Sequence, residues 1–303
     1  MTNVSVIGAG TMGNGIAHVF AQKGFTVSLV DTQPQQLEKA VKTIAQNLER
    51  QLAKGLLTEE ETKATLTRIR TYATIAEGVE KADLVVEAAT ENTELKLTIF
   101  RELDRHAPAG AILATNTSSI SITKIAAVTA RPSAVIGIHF MNPVPVMKLI
   151  EVINGYATDS SVTQKMVELA GRLGKIPCVV NDYPGFIANR ILMPMINEAI
   201  YSLYEGVAGV GEIDTVMKLG MAHPMGPLQL ADFIGLDVCL SILRVLQDGF
   251  GNPKYAPCPL LVNMVMAGYL GVKSGEGFYH YVQGSKDLVV SGRFKDTRTA
   301  FPH

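Results

Sequence analysis

The sequence VSVIGAGTMG, residues 4–13, decides the fold of the first half of this chain. Its first residues are apolar and β-branched, which predicts a strand over residues 3–8, and the residues that follow predict an amphipathic helix over 11–23. Three glycines between them suit a tight turn, a close approach of backbone to a pyrophosphate, and close packing of the helix on the strand. The free N–H groups of the helix N-terminus attract phosphate. The residues predicted to contact a dinucleotide are Gly8, Gly10, Thr11, Met12 and Gly13.

An acidic residue ends the second predicted strand, residues 26–30. Asp31 follows Gly13 by eighteen residues, close to the separation at which dinucleotide-binding folds place a carboxylate on a ribose. A carboxylate there would repel the 2′-phosphate of NADP, so the pattern favours NAD. A turn or helix-cap role before Pro34 is the alternative.

Strands and helices alternate through the first half of the chain, which predicts an α/β fold with a Rossmann-like, doubly wound sheet of parallel strands. One connection, residues 34–70, is long and charged, and it predicts a helical hairpin that turns near Gly55 and projects from the sheet as an arm outside the core. The other predicted strands are 83–88, 111–115 and 134–138, and the other predicted helices are 34–54, 59–70 and 93–106.

The composition changes near Tyr183-Pro184-Gly185, where β-branched runs stop. We therefore expect a first domain over residues 1–183 and an all-α domain over 184–282. Residues 283–303 are polar and show no periodicity, so a loosely ordered tail is expected. The predicted helices of the second domain are 186–205, 210–219, 226–247 and 258–269.

Charge and cysteine content exclude several classes of partner. The formal net charge is -1, which gives no broad attraction to nucleic acid or to an anionic membrane. No apolar run reaches the length of a membrane span, and the N-terminus lacks a secretory signal, so a soluble cytoplasmic protein is expected. The cysteines lie too far apart for a metal motif, and we expect no metal site and three buried free thiols, at Cys178, Cys239 and Cys258.

Three polar residues stand at positions that suit alcohol oxidation. Ser118 follows strand 111–115 and His139 follows strand 134–138, and ligands of open α/β sheets bind beyond such strand ends. Histidine can accept a hydroxyl proton at neutral pH. Glu151 has two apolar residues on each side, so it needs a partner, and a fold-back of the chain would bring it to His139. The alternatives are a core histidine and, for Ser118, a helix N-cap.

Five motifs together resemble the L-3-hydroxyacyl-CoA dehydrogenases, and most of all the single-function bacterial 3-hydroxybutyryl-CoA dehydrogenases. The resemblance extends over about residues 3–282. Met141 stands where relatives often have phenylalanine, and methionine is a compatible apolar residue. The motifs are GAGTMGNGIA at 8–17, NTSS at 116–119, HFMNPVPVM at 139–147, PGFIANR at 184–190 and KSGEGFY at 273–279.

The resemblance implies a role for individual residues. His139 would be the general base and Glu151 its orienting carboxylate, while Ser118 and Asn189 would bind the 3-oxygen and thioester region of an acyl-CoA. Asp31 would hold the adenosine ribose of NAD, and Lys54 would meet the phosphates of coenzyme A. The helical domain would form a homodimer. The nicotinamide half of the NAD site would be lined by Glu91, Lys96, Asn116, Ser118, Asn142 and Lys273.

Two other functions fit parts of this pattern. An NAD-dependent dehydrogenase of sugar acids or free 3-hydroxyacids could share the fold and the histidine–glutamate pair. A non-catalytic NAD-binding structural protein would need the glycine turn alone. The asparagine–proline motif at 142–145 and the basic helical hairpin favour an acyl-CoA substrate over the first alternative. The second alternative would not need Ser118, His139, Glu151 and Asn189 together.

Overall fold

The computed structural model describes residues 1–282, 284 and 287–294. The chain forms two compact units, Met1–Phe186 and Ile187–His303. Among the described helices, none combines the length and the hydrophobicity that crossing a bilayer requires.

The first unit is built on an eight-stranded sheet with the order β3-β2-β1-β4-β5-β6-β7-β8. Neighbouring strands are parallel except for β6 and β7, which are antiparallel. The strands are β1 (Asn3–Ile7), β2 (Thr26–Val30), β3 (Ile69–Tyr72), β4 (Leu84–Glu87), β5 (Ile112–Thr115), β6 (Val135–Phe140), β7 (Leu149–Asn154) and β8 (Ile176–Asn181).

Helices cover both faces of this sheet. One apolar cluster joins the sheet to α1, α2 and α7, whose bounds are Thr11–Gln22, Pro34–Ala53 and Ser160–Arg172. A second cluster joins it to α4 (Ile75–Val79), α5 (Thr93–His106) and α6 (Ile122–Ala126). β4 is buried at all four residues, as expected for a central strand covered on both sides. The predicted Rossmann-like fold is confirmed.

The predicted helical hairpin forms, but it is no projection outside the core. α2 and α3 (Glu59–Thr67) are joined by a turn at Gly55, whose φ of 67° suits glycine. The apolar side of α2 packs into the first cluster, where Ile44 and Leu48 are fully buried. The charged residues that suggested an arm occupy the opposite side of the same amphipathic helix. The tip around the turn is exposed, with Leu56 at 68%.

Three strands of the eight-stranded sheet lie beyond those that the sequence pattern predicts. The predicted helix 59–70 ends at Thr67, and β3 then pairs in parallel with β2 at the edge of the sheet. β7 is the apolar run around Glu151, and β8 forms the opposite edge. Most of β8 is exposed because it has a neighbour on one side only, and the expectation of a buried thiol is therefore wrong for Cys178. Cys239 and Cys258 are buried, and all three thiols are free.

The second unit is helical, with one core that its main helices share. The predicted helix 226–247 is two helices, because Gly235 adopts a φ of 104° that interrupts the regular backbone. The helices are α8 (Ala188–Tyr204), α9 (Val210–Thr215) with a π-helical turn at Val216–Gly220, α10 (Pro227–Ile234), α11 (Leu236–Phe250) and α12 (Pro259–Met266). Short 3₁₀ turns occur at Pro253–Tyr255, Val272–Ser274 and Gly292–Phe294 in this unit and at Pro132–Ala134 in the first.

Part of the expected loose tail is ordered. β10 (Val289–Val290) pairs antiparallel with β9 (Tyr279–His280). Ser291 is fully buried, and Phe294 packs on the core of the second unit. The Ser291 hydroxyl donates a hydrogen bond to Glu276, and Val290 packs on the same core as Phe294, so this segment has contacts that its lack of periodicity did not predict. Residues 283, 285, 286 and 295–303 of the predicted tail lie outside the described residues.

Candidate active site

The glycine turn has the geometry that the sequence predicts for a phosphate cradle. Gly8 has a φ of 97°, and a Cβ there would lie 2.6 Å from Ala89 Cα. A Cβ on Gly13 would lie 1.8 Å from the carbonyl oxygen of Gly8, so α1 contacts the turn directly. A Cβ on Gly10 would have no heavy atom within 4 Å. Gly10 thus faces open space at the N-terminus of α1, where a pyrophosphate can approach the backbone.

Asp31 is tied to this turn by its side chain. Its Oδ2 accepts a hydrogen bond from the backbone N–H of Ala9 at 2.8 Å, and its Oδ1 accepts one from Gln33 N–H at 2.9 Å. The second bond is the turn role considered as the alternative, and the first holds the carboxylate beside the glycine turn. The turn role is therefore observed, and it leaves the carboxylate next to the turn that is predicted to bind the dinucleotide.

His139 and Glu151 form a pair across two strands. β6 and β7 run antiparallel with His139 directly opposite Glu151. His139 Nδ1 lies 2.8 Å from Glu151 Oε2, and the Glu151 residue is only 1% exposed. Because Nδ1 faces the carboxylate, the ring proton belongs on Nδ1 and leaves Nε2 as the proton-accepting nitrogen. The predicted fold-back that joins the two side chains is confirmed.

Ser118 lies in a loop that a carboxylate organises. The loop follows β5, the neighbour of the strand that carries His139. Glu91 Oε1 accepts hydrogen bonds from the Ser118 N–H at 2.6 Å and from its hydroxyl at 2.8 Å. Glu91 Oε2 accepts a third from the Thr117 hydroxyl at 2.8 Å. The N-cap of α6 is Ser121, so Ser118 is not the helix cap. Glu91 holds the loop in place and is no isolated solvated charge.

A buried ion pair beneath this loop contains a residue that the sequence pattern did not single out. Glu87, at the end of β4, is fully buried and its Oε2 lies 2.5 Å from Lys96 Nζ. The same carboxylate accepts hydrogen bonds from the Thr115 hydroxyl and the Ala89 N–H. Lys96 is 1% exposed, which excludes a solvated helix charge. A charge inside an apolar run, the signal that pointed to Glu151, would also have pointed to Glu87.

The two asparagines lie on connections that follow β5 and β6. Asn116 Oδ1 accepts a hydrogen bond from the Phe140 N–H at 2.9 Å and thereby joins the ends of the two strands. Asn142 lines a cavity of about 500 Å³ together with Gly10 and Thr11 of the glycine turn. The opposite wall of this cavity is α2, through residues such as Lys39. Asn142 and the glycine turn thus face the same space.

Lys54 lines a second cavity, of about 470 Å³, at the end of α2. All charged residues that line it are basic, and no carboxylate is among them. The cavity therefore suits an anionic ligand group. The basic residues around it are Lys23, Arg50, Lys54, Lys148 and Lys175.

The remaining predicted site residues belong to the second unit. Asn189 stands in the first turn of α8 and is buried, at 8% exposed. The Lys273 ammonium is partly exposed and pairs with Asp237 at 2.5 Å. No group of three or more histidine, cysteine or acidic side chains among the described residues could hold a metal ion.

Family models match nearly the whole chain. Residues 3–183 match the NAD binding domain of 3-hydroxyacyl-CoA dehydrogenase, and residues 185–281 match its C-terminal domain. The chain belongs to the 3-hydroxyacyl-CoA dehydrogenase family. The family resemblance predicted from the sequence motifs is confirmed.

Individual relatives agree with this assignment. The chain is 55% identical over 278 residues to a probable 3-hydroxybutyryl-CoA dehydrogenase of Bacillus subtilis, covering 92% of this chain and 96% of the relative. It is 54% identical to a 3-hydroxybutyryl-CoA dehydrogenase of Bradyrhizobium diazoefficiens, covering 94% and 97%. The crystal structure of (S)-3-hydroxybutyryl-CoA dehydrogenase from Ralstonia eutropha matches with a TM-score of 0.91 and 48% identity, over 93% of this chain and 100% of that one.

The residues of the first unit fit the NAD that the family model names. The open space at Gly10 and the N-terminus of α1 suit the pyrophosphate, and no side chain caps that helix end. Asp31 places a carboxylate beside the same turn, where a ribose hydroxyl can donate to it. The predicted cofactor, NAD, is confirmed.

Proposed function

We propose that this dehydrogenase oxidises the 3-hydroxyl of (S)-3-hydroxyacyl-CoA, with 3-hydroxybutyryl-CoA as its substrate, and also catalyses the reverse reduction. The observation that carries the proposal is the buried Glu151 carboxylate held 2.8 Å from Nδ1 of His139 at the carboxyl end of a strand. The relatives that share half of the sequence carry the name 3-hydroxybutyryl-CoA dehydrogenase. This geometry supplies a general base beside a nicotinamide-binding fold.

The proposed chemistry assigns a step to each side chain. NAD, when bound, accepts the hydride from the 3-carbon. His139 takes the hydroxyl proton on Nε2, and Glu151 keeps Nδ1 protonated and stabilises the imidazolium that forms. Ser118 contacts the 3-oxygen, and Glu91 orients that serine through its N–H and hydroxyl. Asn189 contributes an amide donor to the thioester region.

The cofactor contacts follow from the same placement. We assign the adenosine ribose to Asp31 and the nicotinamide half to a group of polar residues. Two of these residues, Lys96 and Glu91, are linked, because the Lys96 ammonium that pairs with the buried Glu87 also lies 4.0 Å from the Glu91 carboxylate. The proposed group is Glu91, Lys96, Asn116, Ser118, Asn142 and Lys273.

The coenzyme A moiety is assigned to the basic cavity. Its phosphates carry several negative charges, and Lys54 and Arg50 at the end of α2 are cations without a carboxylate in the same lining. This charge pattern favours a thioester of coenzyme A over a free 3-hydroxyacid, which has no phosphate groups for the basic residues to bind.

We also propose a cytoplasmic homodimer formed through the second unit. That unit exposes several large apolar side chains, which a partner copy would bury. The free thiols suit a reducing compartment. The most exposed of the apolar side chains are Ile191 at 65%, Val207 at 73%, Leu219 at 81%, Phe233 at 63% and Met266 at 81%.

Steady-state kinetics test the proposal. We expect kcat/KM for acetoacetyl-CoA with NADH to exceed that for free acetoacetate by orders of magnitude, and NADH to be preferred to NADPH. Equal rates with the free acid would contradict the acyl-CoA assignment, and a preference for NADPH would contradict the role of Asp31. Light scattering at assay concentration would test the dimer.

A further inference from the structure

The segment Pro143–Met147, here called the proline loop, connects β6 with β7 and separates the two cavities. Pro143, Val144 and Pro145 line the cavity beside the glycine turn. Pro145 and Val146 line the basic cavity. The position of this one loop therefore sets the shape of both spaces that the proposed function assigns to ligands.

Lys175, just before β8, holds the proline loop from one side. Its Nζ donates hydrogen bonds of 2.5 Å to the carbonyl oxygens of Val144 and of Met147. The Lys175 residue is only 8% exposed. Burial lowers the pKa of its ammonium group, and the charge of nearby Lys23 lowers it further. A desolvated cation needs such acceptors, so the two carbonyl contacts are strong ones.

Helix α1 holds the same loop from the other side. Val144 is 2% exposed, and a Cβ on Gly15 would lie 2.9 Å from Val144 Cβ. The loop therefore packs directly on the helix that follows the glycine turn. With Lys175 on one side and α1 on the other, the loop backbone has little freedom to move.

We propose that Lys175 is a positioning residue for acyl-CoA binding, acting through the proline loop. The inference rests on the proposed function. Without the two carbonyl contacts the loop would loosen and both cavities would lose a wall. The His139–Glu151 pair is held by the β6–β7 ladder and not by the loop, so the proton-transfer step should be largely preserved.

The kinetic test compares two thioesters, acetoacetyl-CoA and acetoacetyl-pantetheine. The second is an analogue that carries no phosphate group. In Lys175→Met we expect KM for both thioesters to rise about tenfold, the scale of one lost charge-assisted hydrogen bond. We expect KM for NADH to rise as well, because the loop also lines the cavity beside the glycine turn, while kcat changes less than threefold. Lys175→Arg keeps charged donors and should restore most of the affinity. Lys148→Met is the matched control, because it removes an equal charge from the same cavity without a carbonyl contact.

The proposal would be overturned if KM for acetoacetyl-CoA rose equally in Lys175→Met and Lys148→Met while KM for acetoacetyl-pantetheine changed in neither variant. That result would show that Lys175 acts only through its charge in the cavity. If Lys175→Met does not fold, Lys175→Gln, which keeps an uncharged amide donor group, replaces it.

Amide hydrogen exchange gives a readout that does not depend on activity. The N–H groups of Val146 and Met147 both donate to the Pro143 carbonyl within the loop. We expect their exchange to accelerate in Lys175→Met and not in Lys148→Met, while β6 stays protected. Unchanged exchange would overturn the proposal. If the wild-type enzyme is inactive on both thioesters, the proposed function is contradicted. The exchange rates of Val146 and Met147 then test the contact of Lys175 with the loop on their own.

Discussion

In the first unit, the buried carboxylates of Glu87 and Glu151 pair with the ionisable side chains of Lys96 and His139, whereas in the second unit the buried carboxylates of Asp214 and Asp232 accept hydrogen bonds from backbone N–H groups and tyrosine hydroxyls. Both glutamates stand on strands of the sheet, where the side chains that they hold can meet a ligand beyond the strand ends.

The aspartates of the second unit stand on helices α9 and α10 and accept hydrogen bonds from the backbone of other segments. Asp214 accepts hydrogen bonds from the N–H groups of Leu228 and Gln229, and Asp232 accepts them from Phe278 and Tyr279. Glycines make room for both carboxylates: a Cβ on Gly226 would lie 2.2 Å from Asp214 Cγ, and a Cβ on Gly277 would lie 1.9 Å from Asp232 Oδ1.

The difference shows that burial of an acid does not by itself identify a catalytic site. A carboxylate that accepts hydrogen bonds from backbone N–H groups satisfies donors that have no partner in a regular helix or strand, and it thereby stabilises the fold. A carboxylate satisfied by an imidazole or an ammonium group controls the position and charge of that group, and it can act on chemistry. The partners of the acid distinguish the two cases.

The largest expected effect is on the proposed base. His139→Ala should lower kcat by about 10²–10⁴-fold, because no other group would accept the hydroxyl proton from the same position. NADH binding, measured by fluorescence titration, should remain within a few-fold of wild type. Retention of most of the kcat would assign the base to another residue.

Glu151→Gln should have the next largest effect, a loss of kcat on the order of 10²-fold. The amide keeps the shape of the side chain but removes the charge that supports the imidazolium. Melting temperature and kcat should be measured on one preparation. A lower melting temperature with normal kcat in the folded fraction would place Glu151 with the structural acids of the second unit.

Asp214→Asn tests the opposite side of the comparison. Its carboxylate accepts two backbone N–H groups and the Tyr279 hydroxyl, and the amide can satisfy fewer of them. We expect the free energy of unfolding to fall by about 2 kcal/mol, as for a poorly satisfied buried polar group, while kcat per folded molecule stays unchanged. A selective loss of kcat at normal stability would contradict the assigned structural role.

The smallest effects are opposite pH dependences of stability in the two units. Burial lowers the pKa of His18, on α1, to about 4 and raises the pKa of Asp232 to about 6. The unfolded histidine binds more protons than the folded one, so His18 costs stability as the pH falls below about 6.5. The folded Asp232 binds more protons than the unfolded one, so its contribution to stability is present at low pH and is lost as the pH rises through about 6.

Denaturant unfolding at pH 6.5 and 5.5 measures both contributions. In His18→Gln the acid-induced loss of stability should be smaller than in wild type by about 1 kcal/mol. In Asp232→Asn it should be larger than in wild type, by somewhat less than that amount. The same pH dependence in wild type and both variants would show that neither group titrates differently in the folded state.

The local motifs of this chain were predictable because each depends on neighbours in sequence. The glycine turn requires residues 8–13 only, and Asp31 follows at the end of the next strand. The proximity of His139 and Glu151 was also accessible, because the two lie twelve residues apart on strands joined by one short connection. Apolar periodicity was enough to predict most helices of the second unit, though not the break at Gly235.

The contacts that only the tertiary structure decided join distant segments. Lys175 reaches Val144 across 31 residues, and Thr115 reaches Glu87 across 28. The buried side of α2 and the exposure of Cys178 depend on which elements cover them. The sequence by itself determined the two-part organisation and the dinucleotide turn and supplied the residue types on which the proposed chemistry rests, since these follow from local backbone preference and residue type. Only the tertiary structure decided which partner satisfies each buried charge. Desolvation penalises a buried charge that has no partner. Which partner it finds depends on packing and not on distance along the sequence.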